Sequence, residues 1–396
     1  MIKWNVIWVI FTVVLLSGCW DQHELSDISV VMGMAVDKSN NGKFALTVEG
    51  INAQELDGKT ATGFTPSIVF TLEGNTISEL TQKLNIGVSK HVIYSHMRTL
   101  IIGEDVAKEG IDDFLDYLER DREVRDDFNI LVAHGVKAAE ILSITYPIQK
   151  SSSLKLHAQL KSMVEHWGGD PDVRLNNVVQ ALASPGRQPV MAAVSIKGNP
   201  KSGESVDNLK KVRQDAIVIL DSLAVFNQDK LQGFLSLEDA RNLLWIQDKL
   251  KKTAVSVPCN KNDFFGLRVY NSKTRIKARM EKGTPVIKLK IRAEAYLDGM
   301  QCKNDLTSVK TYDKFENLTE AALKKQVRTT IQKSQDEFGL DIFGFGEAIY
   351  RQDYQDFKKV SENWDESFKN AIVDVQVRVK IRRSGIRTKS LISNEK

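Results

Sequence analysis

The chain has 396 residues, and its 55 Lys+Arg against 51 Asp+Glu leave a net charge of +4. That surplus is too small to argue for a nucleic-acid partner. Hydrophobic residues at 42% and charged residues at 27% exclude a disordered or fibrous chain and fit an ordinary globular one.

Met1-Ile2-Lys3 gives a short positive start, Trp4 to Leu16 is apolar apart from Asn5 and Thr12, and Leu16-Ser17-Gly18-Cys19 follows. This is the layout of a bacterial lipoprotein signal, with the small pair Ser17-Gly18 suited to a peptidase pocket. A run of about a dozen apolar residues falls short of the roughly 20 that a membrane span needs. Cleavage is expected to remove residues 1–18, leaving Cys19 as an N-terminus whose thiol carries diacylglycerol. Buried methylenes contribute about 0.8 kcal/mol each, so two acyl chains hold a soluble body on a membrane where one would not. The mature chain, of two- or three-domain length, is then expected to face out of the cytoplasm.

Trp20-Asp21-Gln22-His23-Glu24-Leu25 opens the mature chain. Ile28 to Val36 reads as a strand, Asp37 to Gly42 as a turn, and Phe44 to Val48 as the return strand of a hairpin. The turn is no calcium loop, because its twelfth position is Val48 rather than a bidentate Glu. Thr76 to Leu84 reads as a helix capped by Thr76 and Glu79, Thr99 to Ile102 as a strand, Val106 to Leu118 as one helix, and Phe128 to Ala133 as a strand. Beyond Ser151-Ser152-Ser153, an amphipathic helix is expected from Leu154 to Trp167, then a helix over Leu175 to Leu182 and a strand near Val190 to Ile196. Lys197 to Ser205 is polar, contains Pro200 and two glycines, and reads as the main linker.

Ala216 to Phe226 and Leu231 to Leu235 flank a polar turn, and Ser236 with Asp239 caps a helix running to about Leu250. In Ile287 to Leu297 the odd positions are apolar and Lys288, Lys290, Arg292 and Glu294 face the other way. Val373 to Ile381 repeats the alternation, and both read as antiparallel strands. Between them Asn317 and Glu320 are expected to cap a helix with a stripe of Leu323, Val327, Ile331 and Phe338, and helix continues from Asp341 to about Asn370. The expected fold is α+β and multidomain, with mixed and antiparallel sheets packed on helices. An N-terminal α/β domain over 19–200, with room for two subdomains, precedes a C-terminal domain over 201–396, itself a curved antiparallel sheet with long helices.

Enzyme motifs are absent. Gly58-Lys59-Thr60 lacks the first Gly of a phosphate loop, His23-Glu24 lacks a second His, and Gly344-Phe345-Gly346 follows a helix. No catalytic, cofactor-binding or metal-binding residue is assigned, and the one site residue is the lipidation position Cys19. Cys259 and Cys302 are too few for a disulfide framework, and spacing cannot show whether they pair; they read as separate thiols. Arg120 to Arg125 reads as a solvated helix end, Trp245 and Trp364 as core, and Arg382, Arg383, Arg387 and Lys389 as a basic tail.

Four stretches together resemble the Ger(x)C family, lipoprotein C subunits of spore germinant receptors. They are Gly18-Cys19-Trp20-Asp21 with Glu24-Leu25; Ser95-His96-Met97-Arg98-Thr99 to Glu104, running into Asp116 to Arg125; Ala224 to Leu235 with Leu243-Leu244-Trp245-Ile246; and Asp341-Ile342-Phe343-Gly344-Phe345-Gly346 with Trp364 and Val373 to Gly385. The resemblance implies a protein without enzyme activity or cofactor on the outer surface of the spore inner membrane. It also implies integral-membrane A and B subunits as partners in sensing nutrients. A solute-binding lipoprotein is the competing expectation and would need repeated β-α units in two lobes; a cell-wall hydrolase ranks third.

Overall fold

A computed structural model describes Trp4 and residues 27–383 except 57, 58 and 60. Cys19, Trp20-Asp21, Arg387 and Lys389 lie outside the described residues.

β1 (Ile28–Lys38) and β2 (Phe44–Ile51) form the expected antiparallel hairpin. Its turn closes at Gly42 with φ +79, a conformation that costs a residue without a Cβ little. After α1 (Ala53–Leu56), β3 (Ser67–Gly74) pairs antiparallel with β2. Thr76 caps α2 (Ile77–Lys83), its hydroxyl accepting from the Glu79 N–H at 3.2 Å. β4 (His91–Ile93) and β5 (Thr99–Ile102) then run parallel to β1. The single helix expected from Val106 is two, α3 (Glu104–Glu109) and α4 (Asp112–Arg120), separated at Gly110 with φ +138. The apolar periodicity hid that break because Ile111, in the gap, is as buried as Val106 and Phe114.

β6 (Asn129–Ala133) leads through α5 (Ala138–Ser143), α6 (Ser152–His166) and α7 (Leu175–Ala183) to β7 (Val190–Gly198). Two buried carboxylates of the first hairpin seat two of these helices. Asp37 accepts from the Ala138 and Ala139 N–H groups, both at 2.9 Å, and Glu49 from those of Ser152 at 2.9 Å and Ser153 at 3.0 Å. Helix N-terminal donors have no partner within the helix, so each carboxylate satisfies groups that would otherwise be stranded.

The stretch read as the main linker ends β7 and enters α8 (Pro200–Gly203) and α9 (Val206–Lys210). It connects β7 to β8 (Ala216–Asn227), which pairs with β7 and with β9 (Lys230–Ser236), antiparallel in both cases. The first sheet therefore runs β3-β2-β1-β5-β6-β7-β8-β9, with β4 beside β1. Its centre is parallel and its flanks antiparallel. α2, α3, α4 and α7 contribute to the core on one face; α5 and α6 cover the other.

The chain changes sheet after α10 (Leu237–Ile246), opened by the expected reciprocal cap between Ser236 and Asp239. β10 (Thr253–Pro258), β11 (Phe264–Glu281), β12 (Thr284–Met300) and β13 (Ile372–Arg383) form the second sheet in that order. Ile287, Leu289, Ile291, Ala293, Ala295 and Leu297 are buried, as the alternation requires. β13, expected antiparallel, pairs parallel with β12. Side-chain alternation is the same in either direction, and the intervening helices return the chain to the starting end of the sheet. Those helices are α11 (Val309–Lys333), a π turn, α12 (Phe345–Gln352), α13 (Tyr354–Lys358) and α14 (Trp364–Lys369). α11 starts after Ser308, so Asn317 and Glu320 lie within it and do not cap it; Leu323, Val327 and Ile331 are buried and Phe338 half-buried.

Cys259 and Cys302, read as separate thiols, form a disulfide with Cα atoms 6.5 Å apart. The long β11–β12 hairpin sets Phe265 opposite Met300 and so carries the two sulfurs together, a proximity the sequence could not reveal without β11. One apolar core spans both sheets: Val190, Leu223, Val225 and Leu235 of the first share it with Trp245, Phe265, Leu289 and Phe345.

Candidate functional site

The motif Asp341 to Gly346 folds into a turn around its own first carboxylate. Oδ1 of Asp341 accepts from the Phe343 and Gly344 N–H groups at 3.0 and 2.9 Å, and Oδ2 from the Gly346 N–H at 2.8 Å and from Trp364 Nε1 at 3.1 Å. Burial pushes this carboxyl up to about 6, against the pull of those donors. Trp364 is buried, as expected, but it also spends its ring N–H on the turn.

This turn forms the second half's side of a seam. A Cβ on Gly346 would come within 2.7 Å of the Gly186 Cα and 2.6 Å of the Trp364 ring, so the two backbones meet only because both positions are glycine. Beside them the Gln188 N–H donates to the Asp341 carbonyl at 2.8 Å, Gln188 Nε2 to Asp365 at 3.2 Å, and Gln247 Nε2 to the Ile342 carbonyl at 3.2 Å. A cleft of about 440 Å³ opens along the seam, lined by Arg187, Gln188, Gln228, Asn363 and Asp365 among others. Asp365 Oδ1 and Arg187 Nε find no hydrogen-bond partner. The loop carrying Gly186 and Gln188 was not singled out from sequence; a glycine and a glutamine in a polar turn give no local signal of a partner so distant in the chain.

Arg98, from the Ser95 to Glu104 stretch, lines a second cavity of about 310 Å³ with His157, Lys161, Asp172, Arg174 and Lys251. His157 Nδ1 lies 2.9 Å from Asn129 Oδ1. Burial first, then Arg98 and Arg174, lower its pKa and favour the neutral ring. Arg120 ends α4 and the run continues past it to Arg125 with local contacts, Arg120 to Asp116 at 2.9 Å and Arg125 to Asp127 at 3.7 Å, pairs near the surface that contribute little.

The arrangement nearest to nucleophilic chemistry joins His134, Asp221 and Ser222. Both the Asp221 carboxylate and the Ser222 hydroxyl lie 3.2 Å from the same ring nitrogen, Nδ1. A triad needs the acid and the nucleophile on opposite nitrogens, so this imidazole cannot relay a proton between them. Among the described residues no group of three or more His, Cys, Asp or Glu could hold a metal ion. The expected lipidation site, Cys19, lies outside the described residues, eight positions before Asp27.

Comparison with known proteins matches these regions in order. A profile described as the spore germination protein N-terminal domain covers residues 21–196, and one described as spore germination B3/GerAC like, C-terminal, covers 221–385. Spore germination protein KC of Bacillus subtilis (strain 168) is 30% identical over 387 residues, 96% of this chain and 95% of that protein. Spore germination protein GerQC of Bacillus cereus is 22% identical over 387 residues, 96% of this chain and 99% of that protein. The crystal structure of the GerBC protein superposes with a TM-score of 0.57 at 20% identity, covering 88% of this chain and 97% of that one.

Proposed function

Since this chain belongs to the Ger(x)C family of spore germination proteins, we propose that it is the lipid-anchored, non-catalytic subunit of a nutrient germinant receptor. It sits on the outer surface of the spore inner membrane, held by diacylglycerol on Cys19. There it assembles with integral-membrane A and B subunits and is needed for nutrients to trigger germination.

The observation that carries this reading is the ordered match of both family domains along nearly the whole chain. Three features support it. The lipoprotein signal ending at Cys19 supplies an anchor, and no helix among the described residues is long and apolar enough to cross a membrane. The Cys259–Cys302 disulfide suits an exported protein. Confinement to the bilayer raises the concentration of the body around membrane partners without any new contact. The competing solute-binding reading needs a second lobe that repeats the first, whereas the second sheet has four strands with a single parallel pair.

Cys19→Ala tests the proposal. The variant is expected to leave the membrane fraction and to abolish the nutrient response of spores. A variant that stays membrane-bound and responsive overturns it.

A further inference from the structure

Resting on the Cys19 anchor proposed above, we propose that one corner of the first sheet, carrying Phe64, Ile68 and Ile86, inserts into the lipid interface beside the tether. These side chains are 70%, 63% and 74% exposed. Ile68 and Ile86 lie on neighbouring segments, and Phe64 is in the loop that leads into β3. Ile68 shares a face of β3 with Phe70, whose ring lies against Gly87, next in sequence to Ile86. Asn85 Nδ2 donates to the Lys90 carbonyl at 2.9 Å, and the following His91 pairs with Ile28, the first residue of β1. In the sheet register Val31 faces Gly50 and Gly50 faces Ile68, so the apolar edge lies about 10 Å from the strand on which the tether ends.

The Phe64 loop is held out by built contacts. Glu55 accepts from the Thr62 and Gly63 N–H groups at 2.8 and 3.0 Å, Asn52 Nδ2 donates to the Thr65 carbonyl at 3.3 Å, and Lys150 Nζ donates to the Glu55 carbonyl. A loop fixed in this way while its Phe faces solvent has an apolar tip meant for another surface.

Reach and charge select the lipid. The eight residues after Cys19, Trp20 to Asp27, span at most about 28 Å when fully extended, so an acylated Cys19 keeps this corner close to the headgroups. Exposed Lys59 and Lys90 stand five residues before Phe64 and four after Ile86 along the chain and complement anionic lipid. Apolar residues inserted to the acyl boundary with lysines at headgroup level form an interfacial contact.

A single labelled thiol tests this. Cys259 and Cys302 are bridged and Cys19 is acylated, which leaves Phe64→Cys free to carry an environment-sensitive fluorophore. The acylated full-length chain is placed on vesicles of phosphatidylglycerol and phosphatidylethanolamine containing interface-depth nitroxide lipid. Asn41→Cys, in the turn at the opposite end of β1, is the control, and Ile86→Cys serves if the Phe64 variant fails to fold. Quenching several-fold stronger at Phe64→Cys or Ile86→Cys than at Asn41→Cys is expected. Equal quenching at both ends means that the body lies flat and overturns the proposal. Absent quenching on a chain whose mass shows acylated Cys19 also overturns it, leaves the anchor intact and gives the corner to a protein partner. An unacylated mass removes the anchor reading, and this contact with it.

Discussion

At the open edge of the second sheet, α11 leans two carboxylates onto β13. Glu316 accepts from the Ile381 N–H at 2.9 Å and Glu320 from the Val379 N–H at 3.0 Å, while their second oxygens pair with Lys380 at 2.7 Å and Arg378 at 3.2 Å. At the open edge of the first sheet, β3 presents Ile68 and Val69 to solvent beside Phe64. An unguarded apolar edge invites association, and proteins normally cover or charge it. This chain guards one edge with its own helix and leaves the other apolar; the difference marks the bare edge as a surface for something outside the fold.

Four measurements break or sharpen that contrast. The disulfide bolts Cys259, just past the other edge strand β10, to the segment after β12 across 43 residues. Replacing both cysteines with Ala is expected to cost about 4 kcal/mol in urea unfolding, from loop-closure entropy. Glu316→Ala with Glu320→Ala strands two backbone donors and is expected to cost about 3 kcal/mol, with self-association visible by light scattering. An unchanged midpoint would show that β13 needs no guard.

At the join between the halves, burial pushes Asp170 up to about 7 from its ordinary 3.8. The native state therefore binds this proton more tightly than the unfolded chain does. Its contribution is fully present below about pH 4 and is lost as pH rises towards 7. Asp170→Asn keeps the acceptor for the Asp172 N–H, since Oδ2 has no partner. It is expected to stabilise by on the order of 2 kcal/mol at pH 7.5 and to flatten the slope between pH 4 and 7. A slope identical to that of the parent would refute the assignment. The smallest effect is expected on the bare edge. Phe64→Ser and Ile68→Ser should each stay within about 0.5 kcal/mol of the parent; a larger loss would make these residues part of the fold and erase the contrast.

Much of the architecture was legible. Period-two alternation located β12 and β13, and Thr76-Glu79 and Ser236-Asp239 marked true helix starts. What remained hidden depends on partners remote in sequence. Alternation carries no direction, so the parallel pairing of β13 was invisible. Asp37 read as a turn residue and Glu49 fell just past the expected strand, although their work is to seat α5 and α6. Asn317-Glu320 had the spacing of a cap, but Glu320 answers to β13. For the site, Asp341 and Trp364 were visible as a motif and a core residue. Their hydrogen bond, and the glycine contact it supports, exist only in three dimensions.

That glycine contact has a mechanical corollary. Gly186 and Gly346 touch backbone to backbone, and apolar side chains of both sheets share one core behind them, so the halves are joined there through packed atoms. Under the anchoring proposed at Cys19, a pull at the start of β1 is expected to reach β13 as a tilt of the entire body, as in a rocker arm and not a chain of beads.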